Sequence, residues 1–226
     1  MTLILVGMSV SDVDRRDLLL NAARRLGASV AFLQMGDPSL SAELTRLADA
    51  GATTVTLVGV STGPLGPGHS WLRRIAAHWW REWAGVRPRI EVATELVTEL
   101  ATGLEALDPG DTRPITGTEP GLTSAAWEHV TDHRHQVMVC RGPRCTAKGA
   151  EDNLRALILA MLRHNLDDAD VLLLHTGCQF PCNRAPVISV QPDDVWYGGL
   201  DPAAVERIVA EHLAGGRPVD THRLPR

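Results

Sequence analysis

The chain has 226 residues, 44% of them hydrophobic and 22% charged, which suits one large or two small folded domains and excludes a disordered or collagen-like chain. Its net charge is −5, with 10 basic and 11 acidic side chains in residues 1–107, 2 and 5 in 108–135, and 10 and 11 in 136–226. There is thus no basic stripe for nucleic acid or an anionic membrane surface. The opening Met-Thr-Leu-Ile-Leu-Val-Gly lacks a basic leader, and no segment reaches the roughly 20 apolar residues that cross a bilayer, so a cytoplasmic chain with neither nucleic-acid nor membrane partner is expected.

Leu3 to Val6 is a short apolar run that predicts a strand, and Leu18, Leu19, Ala22, Ala23 and Leu26 then share one helical face. Val30 to Leu33 predicts a second strand. Asp37-Pro38 opens a helix that Gly51 closes, and Thr54 to Val60 is a β-branched third strand. A Gly/Pro-rich loop, Ser61 to Gly68, leads into a helix from His69 to Trp83. Ile90 to Ala93 predicts a fourth strand, followed by a last helix to about Leu107. This alternation predicts an α/β domain with a parallel sheet over residues 1–107. Asp-Pro-Gly, Arg-Pro and Gly-Thr-Glu-Pro-Gly then make residues 108–134 read as a linker.

A second α/β domain is expected over 135–226. Its predicted elements are a strand from Gln136 running into Cys140, an amphipathic helix from Glu151 to His164 and a strand from Val171 to Leu174. A hairpin of Val187–Val190 and Val195–Tyr197 turns at Pro192-Asp193-Asp194, and a closing helix runs from Pro202 to Leu213.

The only four cysteines, Cys140, Cys145, Cys178 and Cys182, are spaced C-x4-C, 32 residues, C-x3-C, each pair in a loop after a predicted strand. In a reducing compartment such thiols are ligands rather than disulfides. Four thiolates suit either a tetrahedral zinc or an iron–sulfur cluster. The pairs are not the C-x2-C knuckles of structural zinc, nor do they have plant-type or bacterial ferredoxin spacing. Arg141, Arg144, Lys148 and Arg184 would place positive charge beside them, or else are solvated surface residues. Phe180 and Pro181, between the last two cysteines, are expected to shield the site from water. Trp196 and Tyr197 read as core or hairpin packing.

Val-Cys-Arg-Gly-Pro-Arg-Cys, Thr-Gly-Cys-Gln-Phe-Pro-Cys-Asn-Arg-Ala-Pro, and Val-Trp-Tyr-Gly-Gly-Leu followed by a helix with Glu-His-Leu resemble the thioredoxin-like 2Fe–2S ferredoxins over about Gln136 to Val219. The longer family pattern has some twelve residues between its first two cysteines, where this chain has four. The resemblance implies a thioredoxin-like domain, a 2Fe–2S cluster on Cys140, Cys145, Cys178 and Cys182, and a redox partner protein.

Residues 1–107 resemble the small sirohydrochlorin chelatases, the type II enzymes that insert cobalt, iron or nickel into a tetrapyrrole. The matching features are Leu-Val-Gly with Asp12 soon after, Ala-Phe-Leu-Gln with Asp-Pro-Ser-Leu, and Val-Thr-Leu-Val-Gly-Val leading to Gly-Pro-Leu-Gly-Pro-Gly-His. The resemblance implies a sirohydrochlorin-type tetrapyrrole as partner, Co2+, Fe2+ or Ni2+ as substrate, His69 as catalytic metal ligand, and a homodimer. Where that family carries its other histidine this chain has Met8, a weak soft ligand that takes no proton at neutral pH. Met8 equally reads as strand-end packing, and His69 as a helix-start residue without a ligand role. Asp12 and Gln34 are the remaining candidates for helping His69. Trp71, Trp79, Trp80 and Trp83, around His78, would line a macrocycle pocket or pack an interface, and His129, His133 and His135 read as solvated linker residues. Two functions follow: a chelatase of cobalamin or sirohaem synthesis with an appended cluster, or a non-catalytic electron carrier or redox sensor whose chelatase-like half is degenerate.

Overall fold

The computed structural model describes residues 2–63, 68–99 and 110–225. These form two compact units, Met1–Trp127 and Glu128–Arg226. Among the described residues no helix is long and apolar enough to cross a membrane.

The first unit is built on β1 (Thr2–Gly7), β2 (Ser29–Phe32), β3 (Thr54–Val60) and β4 (Arg89–Ala93), parallel in the order β2-β1-β3-β4. These strands are near-continuous apolar runs because helices cover both faces of the sheet. Ile4, Val6, Leu57 and Val92 pack on one face against Leu44 of α3 (Leu40–Asp49) and Leu72 and Ala76 of α4 (His69–Glu82). The intervening Leu5, Val58 and Ala93 pack on the other face against Leu19, Ala22 and Ala23 of α2 (Arg16–Leu26). A short α1 (Val10–Asp14) precedes α2. Ser39 caps α3 by accepting from the Ala42 N–H, and Gly27 closes α2 in the left-handed conformation that glycine adopts without a Cβ penalty.

Two expectations fail here. The helix expected after Ala93 is absent over 94–99, where Val97 instead bridges Val60; residues 100–109 lie outside the described residues, as do 64–67 of the Gly/Pro-rich loop. The expected linker, 108–134, is also not free chain through most of its length. Thr112–Pro114 is β5, antiparallel to β4 at the sheet edge, and the residues after it are strapped along α4. Arg73 donates to the carbonyls of Arg113 and Pro114, Arg74 to that of Gly121, and Arg81 to those of Gly117 and Glu119. Trp71 stacks on Trp127 with Arg74 over both rings. A Pro/Gly/Thr-rich segment can be fixed this way through its backbone carbonyls, which leave no periodic signature in the sequence.

Glu119 pins the strap. Its carboxylate accepts from Arg73 (2.8 Å), the Thr116 N–H and the Gly117 N–H, and it is almost fully buried. Burial pushes its carboxyl up, but the backbone N–H donors and the Arg73 charge outweigh burial and hold it below the ordinary carboxylate range. A lowered folded-state value means that Glu119 contributes its stability above the ordinary carboxylate range and loses it as pH falls through that lowered value. Glu119→Gln is expected to cost the first unit about 1–3 kcal/mol at neutral pH and to flatten that part of the acid limb, read by denaturant unfolding at pH 7 and in acid.

The second unit has a four-stranded sheet in the order β7-β6-β8-β9, from β6 (His135–Cys140), β7 (Val171–Thr176), β8 (Val187–Gln191) and β9 (Val195–Gly198). β6 is parallel to β7 and antiparallel to β8, which is antiparallel to β9. Strand alternation divides its side chains between two faces. Val137, Val139, Ile188, Val190 and Tyr197 meet α6 (Ala150–Arg163) and α7 (Pro202–Arg207), whose last turns widen to π-helix over Ile208–Ala214. The buried Tyr197 hydroxyl accepts from the Val219 N–H and donates to His212 Nδ1, and His212 Nε2–H donates to Asp193, so every member of this core network is satisfied. Met138, Cys140, Val187, Ser189 and Trp196 point to the opposite face, which the cysteine-bearing loops cover.

Candidate metal centre

Two loops bring the cysteines to one end of the second sheet. Cys140 is the last residue of β6, and the chain then turns into α5 (Pro143–Ala147), a short helix not foreseen from the sequence, which carries Cys145. Cys178 follows β7, and Cys182 opens a 3-10 turn before β8. Cys140 and Cys145 are buried with Ala150, Ala185 and Val187, whereas Cys178 is exposed and Cys182 partly so. All four are free thiols.

The sulfurs lie in two neighbouring pairs. Cys178 and Cys182 Sγ are 3.3 Å apart. The Cys140 thiol interacts with Cys145 on one side and Cys178 on the other. Burial, then the hydrogen bond with Cys140, pushes Cys145 up to about 11. The Cys182 hydrogen bond, helped by the Phe180 N–H and the Arg144 charge, pulls Cys178 down, while the same bond raises Cys182. Four soft thiols brought to one end of a sheet suit an iron–sulfur cluster or a tetrahedral metal ion.

Gln179 holds the second loop in place. Its N–H approaches Cys140 Sγ at 3.5 Å, its side-chain amide donates to the Met138 carbonyl and Thr176 Oγ1, and its Oε1 accepts from Ser189. One side chain thus ties the Cys178 loop to β6, β7 and β8. Nothing in its sequence context marks it beyond its place beside a cysteine.

The thioredoxin-like [2Fe-2S] ferredoxin family matches residues 126–213. A 2Fe-2S ferredoxin of Aquifex aeolicus (strain VF5) is 34% identical over 76 residues, which are 34% of this chain and 68% of that protein. Through these residues the chain belongs to the thioredoxin-like [2Fe-2S] ferredoxin family. A provisionally named 2Fe-2S ferredoxin of Priestia megaterium is 39% identical over 85 residues, 37% of this chain; the match spans 64% of the Priestia protein's length. The crystal structure of the wild-type Aquifex aeolicus thioredoxin-like [2Fe-2S] ferredoxin aligns with 41% of this chain and 97% of its own at 31% identity, with a TM-score of 0.38, so the assignment stands on the sequence matches.

The cofactor of the ferredoxin unit is a 2Fe–2S cluster, and the residues present fit it. The donor set is four soft thiols in two pairs. Trp196, packed against the Cys140–Cys145 side, has a buried indole N–H with no acceptor among the described residues, a donor left over beside the sulfurs. Gly142 lets the two loops close on each other, since a Cβ there would lie 3.0 Å from both Cα and Cβ of Cys178. Gly142→Ala is expected to push the Cys178 loop outward and cost the ferredoxin unit about 1–3 kcal/mol, read as lower iron retention and lower thermal stability.

Other expected features of this unit are placed differently. Phe180 does not shield the cysteines; it is 89% exposed. Arg141 does not present free charge, because its nearly buried guanidinium pairs with Glu151 at 2.7 Å. Lys148 lines a separate surface cavity with Asp152 and Glu206, so only Arg144 and Arg184 stand beside Cys182. His133 bonds the Thr131 carbonyl and Gln136, and His135, the first residue of β6, is largely buried facing Asp193 rather than a solvated linker residue.

In the first unit, His69 sits at the carboxyl edge of the sheet, with Nε2–H donating to the Ala93 carbonyl at 2.6 Å. Met8 is fully buried in the core with Leu72 and Leu57. Asp12 is also fully buried, and its two oxygens take four hydrogen bonds from Ser9 and Thr62. Gln34 and His78 are exposed. The structure therefore brings neither Met8 nor Asp12 to His69 as a second ligand. Trp79 donates to Thr45 and stacks on Trp83, and Trp80 lies against Gly117, so these tryptophans pack α4 and the strap.

Proposed function

We propose that the chain works as an electron carrier or redox sensor whose 2Fe–2S cluster is held by Cys140, Cys145, Cys178 and Cys182. The observation that carries this is the convergence of four free thiols, in two pairs, at one end of the ferredoxin sheet. When bound, the cluster supplies one-electron chemistry. The protein holds the Cys140–Cys145 side in an apolar pocket and leaves the Cys178–Cys182 side at the surface, where electrons can pass to another molecule. Anaerobically purified protein should be brown, hold about two irons and two sulfides per chain by this ligand count, and bleach with dithionite. A colourless protein with one zinc would end the reading.

The first unit is read as a chelatase-like domain that binds a tetrapyrrole without competent insertion. Met8 lies in the core where the second histidine would be needed, while His69 stands at the sheet edge with Nε2 committed to the Ala93 carbonyl. A chelatase of Co2+, Fe2+ or Ni2+ remains the second reading, favoured by the place of His69 at the carboxyl edge of the sheet. A cobalt-insertion assay on sirohydrochlorin decides between them: wild-type activity lost in His69→Ala supports the chelatase, and no activity supports the degenerate domain. The homodimer implied by a half-cleft of this size is tested by sedimentation.

A further inference from the structure

Phe180 is placed at a double cost. Its φ of +88° lies in the region that residues with a Cβ avoid, and bulky side chains most of all. Its side chain, 89% exposed, recovers nothing by burial. The backbone has a reason for this conformation, because the Phe180 N–H turns to the Cys178 sulfur while its carbonyl accepts from the Cys182 N–H at 2.6 Å. A glycine would serve both bonds without strain. The loop's own structure therefore accounts for the turn and leaves the phenyl ring unexplained.

The ring's surroundings give it a use. Phe180, Pro181 and Cys182 line a surface cavity of about 270 Å³ with Asn183, Arg144 and Arg184. Both arginines are exposed, Arg144 bonds Asn183 across the two loops, and no carboxylate lines the cavity. An exposed aromatic flanked by two guanidinium groups, in one surface cavity with Cys182, is the composition of an interface centre.

We propose that the Phe180 tip, rimmed by Arg144 and Arg184, is the docking surface for an electron-transfer protein that presents an acidic patch around an apolar socket. Phe180 fills the socket, the arginines meet the carboxylates, and the partner's redox group comes to rest near the Cys178–Cys182 side. The proposal rests on the electron-carrier reading and adds the partner's chemistry and the surface it uses.

Stopped-flow oxidation of the dithionite-reduced, cluster-loaded full chain tests it, with an acidic flavodoxin and a basic cytochrome c as acceptors. The flavodoxin rate should fall steeply with salt, and the cytochrome rate should not. Phe180→Gly relieves the backbone strain, so it should retain iron and visible spectrum at least as well as wild type, yet slow the flavodoxin reaction roughly tenfold or more. Arg144→Glu with Arg184→Glu should slow flavodoxin and remove the salt dependence. Wild-type rates in Phe180→Gly would overturn the proposal, as would a preference for the basic acceptor. Concentration-dependent dimerisation that Phe180→Gly abolishes would assign the surface to a second copy and likewise overturn it. A wild-type chain without iron would instead sink the electron-carrier reading itself.

Discussion

Cys140→Ala is expected to leave the purified protein nearly colourless, with iron reduced to roughly a tenth of wild type or less, because the cluster loses one of four thiolates at its buried end. Cys140 closes β6, contacts both Cys145 and Cys178, and lies within 3.5 Å of the Gln179 N–H. Ala150, Ala185 and Val187 pack around it, with no thiol, imidazole or carboxylate in that cluster besides Cys145. Without the metal group Cys145 stays a protonated thiol in an apolar pocket, since its burial pushes it up to about 11. Cluster binding is folding energy for a site that exists only in the folded chain, so thermal stability should fall as well. At the exposed end Cys182→Ala should also lose the cluster, but with a smaller stability cost to the iron-free protein, because no buried side chain is truncated. Iron analysis, the visible spectrum and thermal unfolding read all three effects. A wild-type spectrum in Cys140→Ala would remove Cys140 from the ligand set.

Most of the framework was legible because its signals are local. β3 and β8 are β-branched runs of strand length, and α4 and α6 carry apolar residues at helical spacing. The cysteines were legible as two pairs after two strands because their spacing is written in the sequence. Features written in tertiary bonds were not. The strap over α4 is held by arginine side chains reaching backbone carbonyls, and carbonyls look the same in every sequence. Arg141 looks like a surface cation beside Cys140 until Glu151, ten residues on, is found against it. Phe180 was misplaced for a related reason. An aromatic between two cysteines suggests a cover, but the left-handed backbone that aims its N–H at Cys178 sends the side chain outward. Gln179 bridges three strands through amide contacts that exist only once the sheet has formed.

Asp12→Asn is expected to destabilise the first unit by about 3–5 kcal/mol while leaving the cluster spectrum of the second unit intact, the cost of breaking a buried charged network by removing its one acceptor. Asp12 Oδ2 accepts from the Ser9 N–H and hydroxyl at 2.8 and 2.7 Å, and Oδ1 from the Thr62 N–H and hydroxyl at 2.9 and 2.7 Å. These bonds cap α1 and tie the turn after β1 to the turn after β3. An asparagine in the same rotamer turns an amide NH2 toward a backbone N–H and leaves that donor unsatisfied, while the hydroxyl beside it must rotate to accept instead of donate. Asp12→Ala strands all four and should cost at least as much. Denaturant unfolding followed by tryptophan fluorescence reports the loss, since five of the six tryptophans, Trp71, Trp79, Trp80, Trp83 and Trp127, lie in this unit. The same variants separate structure from chemistry. If Asp12 were a metal ligand assisting His69, Asp12→Asn would weaken cobalt or nickel binding with little change in stability. A carboxylate with both oxygens already committed to four donors predicts the reverse.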